Sequence, residues 1–104
     1  MAISYVRYDG SIANAEADIV AAVTNPHLLF SIILHNSSGS PASAEVLLKA
    51  GAGTPRTIIN QTAIAAGATV TFDAKMTLEA TDAIRAVSDT NAVIVFWISA
   101  AEIT

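Results

Sequence analysis

Hydrophobic and polar positions alternate along this chain in short runs, and turn-forming residues separate the runs. From Leu28 the order Leu28, Leu29, Phe30, Ser31, Ile32, Ile33, Leu34 leads into Asn36, Ser37, Ser38, Gly39, Ser40 and Pro41. The chain then returns through Glu45, Val46, Leu47 and Leu48. With the two-residue period of a strand, Leu28, Phe30, Ile32 and Leu34 share one side, and Leu29, Ser31, Ile33 and His35 share the other. On the return, Val46 and Leu48 oppose Glu45, Leu47 and Lys49. The break at 36–41 is built from residues that favour turns. The pattern predicts a β-hairpin with one strongly apolar face, which needs a second sheet to cover it.

The other runs are shorter. Residues 3–8 are rich in β-formers, with Ile3, Tyr5 and Arg7 on one side and Val6 and Tyr8 on the other. Neither side is clean, which suits an edge strand or an arm reaching a neighbouring subunit. Residues 11–23 are alanine-rich, and Ile12, Glu16, Ile19, Val20 and Val23 fall near helical spacing. Ser11 lacks a capping-box partner three places on, however, so a strand over 18–23 is the reading adopted. Further strands are predicted at 56–64, at 69–73 with Val70 and Phe72 inward, at 76–78 and at 83–87. In the last run both parities are apolar: Val93, Val95 and Trp97 on one side, Ile94, Phe96 and Ile98 on the other. An antiparallel sandwich strand normally shows water one face. About eight short strands without a convincing helix make an all-β protein, an antiparallel β-sandwich or jelly roll. The organisation expected is an N-terminal strand or arm over 1–17 and a single β-sandwich domain over 18–104.

Composition sharpens this picture. Only 13% of the 104 residues are charged and 53% are hydrophobic, against a usual charged share of about 25%. A small domain with so few charges exposes much neutral or apolar surface, which favours cover by copies of itself or by a partner. The net charge is −4, and Arg7, Lys49, Arg56, Lys75 and Arg85 form no basic run. That argues against a nucleic-acid surface. The longest apolar run, 92–98, falls far short of the ~20 residues that span a bilayer, and no signal-peptide h-region is visible, so no membrane partner is expected and synthesis in the cytoplasm is. There is no cysteine.

Candidate chemistry is sparse. His27 and His35 are the only imidazoles, and eight residues along a straight strand separate them by roughly 25 Å, too far to share a metal. No Gly-x-Ser-x-Gly elbow is present. Gly51 and Gly53 lack the Lys-Ser/Thr of a phosphate loop. Glu79 and Asp82 flank a turn, where acids are ordinary. These readings imply no cofactor, no metal site and no catalytic residues. Tyr5, Tyr8, Phe96 and Trp97 would serve a sugar platform only if exposed and coplanar, and Trp97 in an all-apolar strand reads better as core or interface.

Four stretches carry a resemblance: 18–23 (DIVAAV), 32–49 (IILHNSSGSPASAEVLLK), 63–73 (AIAAGATVTFD) and 78–87 (LEATDAIRAV). This succession resembles small all-β structural proteins of tailed bacteriophages. There a strand ending in Asn-Ser/Thr leads to a Ser/Ala-rich turn, followed later by Ile-Pro-Ala-Gly-Gly-Thr and Leu-Glu-Ala-Gly-Asp turns. Ala65 departs from the pattern where proline is common, and Thr81 where glycine is common. A threonine is awkward at Thr81 if that turn needs φ > 0.

The resemblance implies a non-enzymatic virion component made in the host bacterial cytoplasm: a capsid decoration or cement protein, or a neck or tail accessory. The expected partners are the chain itself, as a homo-oligomer (a trimer, a pentamer or a ring), and a major capsid or other virion protein. The expected contact residues are Ile3, Tyr5, Arg7 and Tyr8 in the first strand, and Ile94, Phe96 and Ile98 as the outward parity of the last. The alternative is a carbohydrate- or receptor-binding β-sandwich.

Overall fold

The computed structural model describes all 104 residues. The strands are β1 (Ile3–Ser11), β2 (Ala17–Val20), β3 (His27–Asn36), β4 (Ala42–Lys49), β5 (Arg56–Ile64), β6 (Thr69–Phe72), β7 (Met76–Leu78), β8 (Ala83–Ser88) and β9 (Ile94–Ile103). All pairings are antiparallel. One sheet runs β1-β9-β3-β6, with β7 also on β3, and the other runs β2-β8-β4-β5. Because β6 and β7 both pair with β3, they act as one strand broken at residues 73–75. The fold is then two packed four-strand layers in a jelly-roll order. Segment 11–23 contains a strand, β2, rather than a helix, and β1 pairs with β9 along its whole length.

Two expectations about the central segment are corrected. β3 and β4 are not a hairpin: they lie in opposite sheets, and the 36–41 turn carries the chain across the end of the sandwich. Asn36 holds that crossing. It is fully buried, and its amide donates to the carbonyls of Ser40 (2.8 Å) and Ile64 (2.9 Å). Its side-chain oxygen accepts from the Ser38 backbone N–H (2.9 Å) and hydroxyl (2.8 Å). Two donors and two acceptor positions are all used. The second correction concerns parity. The register of β3 on β9 slips between Leu29 and Ser31, so Leu28 and Phe30 are exposed while Ile32 and Leu34 are buried. An extra residue in a bulge turns one half of the strand over relative to the other.

The core lies between the sheets, with Ile12, Leu29, Ile32, Leu34, Val46, Leu78 and Ile84 enclosed. The last strand is corrected here too: Ile94, Phe96 and Ile98, expected to face outward, point into this core and are 0%, 3% and 0% exposed. The outward parity belongs to Val95 and Trp97. Gly10, paired with Phe96, makes room for that ring, since a Cβ there would sit 3.3 Å from two ring carbons.

The turn between β7 and β8 confirms the expected conflict at Thr81, which adopts φ +76°. That region is costly for a β-branched residue. Surrounding bonds hold it: Thr81 N–H donates to the Val23 carbonyl (2.7 Å), and Val23 N–H donates to the Asp82 carbonyl (3.0 Å). The buried Asp82 carboxylate accepts from the backbone N–H groups of Glu79 (2.9 Å) and Gly51 (3.0 Å).

Left-handed strain at a non-glycine residue costs about 1–3 kcal/mol, partly offset by the extra unfolded-state freedom of glycine. Thr81→Gly is therefore expected to raise unfolding free energy by about 1 kcal/mol in urea titrations. Asn36→Leu leaves the buried Ile64 carbonyl and the Ser38 N–H without their partner, and should lower it by about 3 kcal/mol. A neutral Asn36→Leu would refute the role given to that side chain.

Candidate interaction surface

The two outer faces of the sandwich differ. On the β2-β8-β4-β5 sheet, Arg85 lies 3.3 Å from Glu16 and 3.7 Å from Asp18. Glu45 accepts from the Thr57 hydroxyl in the same layer (2.5 Å). Arg85 Nε is buried with no hydrogen-bond partner in its geometry, so the Coulombic contact to the two carboxylates is what compensates it. This face is charged.

The outer face of the β1-β9-β3-β6/β7 sheet carries the exposed large apolar side chains Ile3, Tyr5, Leu28, Phe30 and Trp97, set among polar Arg7, Asp9, Ser31 and Thr71. One row across it reads Tyr5, Ala101, Leu28, Thr77, and another reads Asp9, Trp97, Ile33, Thr71. Tyr5 is 83% exposed, Phe30 42% and Trp97 37%, with Ile3 and Leu28 also open to solvent. On the middle strand, Ser99 and Ala101 are small, so side chains from β1 and β3 meet above them. The Tyr5 and Phe30 ring centroids are 6.2 Å apart, tilted by 42°, and Ala101 is covered to 2% exposure. A shallow apolar depression of about 370 Å³ continues from Leu28 and Phe30 past Met76 and Thr77. The charge on the β1 part of this face is a single ion pair, Arg7 Nε to Asp9 at 3.1 Å. Large aromatics with little charge are what the cores of protein interfaces are enriched in.

The structure distributes the expected contact residues unevenly. Ile3, Tyr5 and Arg7 lie on this face. Tyr8 turns inward, and Ile94, Phe96 and Ile98 are enclosed in the core, where no partner can reach them. Leu28, Phe30 and Trp97 take their place. Period-two reading hid Leu28 and Phe30 because a bulge has no sequence signature of its own.

The rings do not assemble into one flat platform, since Tyr5 and Phe30 are tilted and Tyr8 is engaged elsewhere. Tyr8 Oη lies 2.9 Å from His27 Nε2, and His27 Nδ1 lies 2.8 Å from the Asn25 carbonyl. A carbonyl only accepts, so Nδ1 carries a proton, and in the neutral ring Nε2 then accepts from the Tyr8 hydroxyl. Asn25 in turn donates to Glu102 (3.1 Å). Burial, and then the nearby Glu102 charge, push the Tyr8 phenol above its ordinary value. His35 sits at the far end of β3, bonded to the Thr69 hydroxyl (2.8 Å), and no three metal-ligating side chains gather anywhere. A second cleft, of about 350 Å³, lies between β5 and the β6–β7 break and is lined mainly by Ile58, Ile59, Phe72 and Met76. No helix is long and apolar enough to cross a membrane.

No family model and no curated protein matches the sequence. Solved structures do match in fold. The capsid structure of Helicobacter pylori bacteriophage KHP30 superimposes with TM-score 0.59 at 10% identity, over 97% of this chain and 86% of that one. A pentameric capsid protein from metagenomic phage sequences gives 0.57 at 21% identity over 95% of this chain, which spans 60% of that protein's length. The Drosophila NLP-core, described for pentamer formation and histone binding, gives 0.59 at 11% identity over 97% and 99%. The chain therefore shares its fold with phage capsid proteins and with at least one protein from outside viruses.

A raised phenol pKa stabilises the fold at pH below the unfolded value, and that stabilisation is lost as pH climbs through the folded value. In ultraviolet titration at 295 nm, the ionisation that disappears in Tyr8→Phe should come in above the ordinary tyrosine value of 10.0. An ionisation at or below that value would mean that burial and the Glu102 charge do not act on the hydroxyl.

Proposed function

We propose that this chain is a non-enzymatic structural subunit of a phage virion, a capsid decoration or cement protein. It binds copies of itself and the major capsid protein through the outer face of the β1-β9-β3-β6/β7 sheet. The observation that carries this reading is the contrast between the two outer faces: Arg85, Glu16, Asp18 and Glu45 keep one wet, while Tyr5, Leu28, Phe30 and Trp97 leave the other in want of cover. The fold it shares with phage capsid proteins and the resemblance of its turn motifs to small phage structural proteins both support the reading. The same face would also serve a neck or tail position; the shell is the setting that best suits its size. Ten-residue strands at ~3.3 Å per residue and four strands ~4.8 Å apart make a face of roughly 600 Å². A standard interface contributes about 800 Å² per partner. One such face is a weak contact, and repetition around a shell makes many weak contacts hold.

The test uses Trp97, the single tryptophan. Mass photometry of the purified chain should show oligomers, and the chain should co-sediment with capsids built from the major shell protein. Tyr5→Glu and Trp97→Glu, both at exposed positions, should reduce self-association and capsid binding about tenfold or more without altering the circular dichroism. Assembly should also shield Trp97 from iodide quenching. A monodisperse monomer that leaves capsids bare overturns the proposal.

A further inference from the structure

β1 is the outermost strand of its sheet, and its hydrogen-bonding pattern says which of its backbone groups are free. Ala2 and Thr104 exchange both bonds (2.7 and 2.9 Å), and Ile12 N–H donates to the Ile94 carbonyl (2.8 Å). In an antiparallel ladder such bonded pairs alternate with unbonded ones. The even-numbered residues of β1 therefore bond to β9, and Ile3, Tyr5, Arg7, Asp9 and Ser11 aim their N–H and C=O groups at the open edge. The same residues send their side chains to the apolar outer face.

The charges on this edge are arranged as Arg7-x-Asp9. Charges on an edge strand ordinarily deter pairing. Two like charges would do so here, but an Arg and an Asp two residues apart are complementary to their own two-fold copy. Consider antiparallel pairing of β1 with β1 of a second molecule. An axis at residue 7 sets Arg7 against Arg7, and an axis at residue 9 sets Asp9 against Asp9. An axis at Tyr8 sets Arg7 of each copy directly opposite Asp9 of the other, twice. That register also brings odd residues opposite odd residues, as the free backbone groups require, and matches Tyr5 with Ser11. Opposite charges directly across a ladder attract and like charges repel, so the side chains select one register.

We propose that β1 pairs with β1 of a second copy about a two-fold axis at Tyr8, with Arg7 of each copy across from Asp9 of the other. This rests on the self-assembly reading above and specifies one of its contacts. The two sheets join edge to edge, and the axis runs perpendicular to them, so both apolar outer faces lie on the same side. A face of roughly 600 Å² becomes one of about 1,200 Å², above the ~800 Å² that a partner usually covers. Tyr5 and Trp97 of both copies belong to that single surface, so the edge contact prepares the face contact.

The experiment is sedimentation of the purified full chain across a concentration series, with circular dichroism to confirm folding. Arg7 and Asp9 are exposed, so their substitution leaves the core alone. Arg7→Asp and Asp9→Arg each put like charges across the axis twice, and each should weaken association about tenfold or more. The double variant carrying both substitutions restores complementarity and should associate as the wild type does. So should an equimolar mixture of the two single variants, which fit one another. If the single variants associate as tightly as the wild type, the β1 pairing is overturned while assembly through the outer face stands. A folded double variant as weak as the singles overturns the register. A wild-type chain that stays monomeric throughout overturns the pairing together with the self-assembly it rests on.

Discussion

Ile94, Phe96 and Ile98 on β9 are enclosed between the sheets, and the fold depends on that enclosure. β9 lies between β1 and β3, so its inward side chains meet the inward side chains of the other sheet across the middle of the sandwich. Gly10 gives up a side chain so that the Phe96 ring fits. Each inward methylene removed from water contributes about 0.8 kcal/mol, and in a chain of this size this is the main source of stability. With one parity of β9 fixed inside, the other is fixed outside, and it too is apolar. The exposed Trp97 follows directly from the buried Ile98.

That surplus separates the two faces. The β2-β8-β4-β5 sheet carries its polar positions outward, as a solvated antiparallel sheet should. On the β1-β9-β3-β6/β7 sheet the large apolar Tyr5, Leu28, Phe30 and Trp97 face outward beside Arg7, Asp9 and the threonines, and its small residues Ser99 and Ala101 let Tyr5 and Phe30 come together above the middle strand. No three metal-ligating side chains gather in the molecule. Its distinctive feature is the placement of its exposed large apolar side chains on one sheet.

The turns hold the layers in place at some local cost. Asn36 satisfies every hydrogen bond it can make while fully buried, and it ties the 36–41 crossing to the end of β5. Asp82 ties the 79–82 turn to Gly51, and the strained Thr81 is held between them and Val23. Local strain persists where the surrounding bonds over-determine the backbone. Here those bonds join turns from both sheets, so a left-handed threonine is tolerated where a glycine would relax.

The sequence alone determined the all-β class, the positions of most strands, the shared side of Val46 and Leu48, the inward pair Val70 and Phe72, the conflict at Thr81 and the excess of apolar surface. These follow from two-residue periodicity, turn chemistry and composition, which are local properties. It did not determine that β3 and β4 part into different sheets, because a polar turn reads alike whether the chain doubles back or crosses the sandwich. Nor did it place Leu28 and Phe30 outside, since a bulge reverses parity without marking the sequence. Both faces of β9 are apolar, so choosing Ile94, Phe96 and Ile98 for the core over Val95 and Trp97 needed the register with β1 and β3. Only the tertiary structure supplies that register, because which side of a strand is inside depends on what lies across from it.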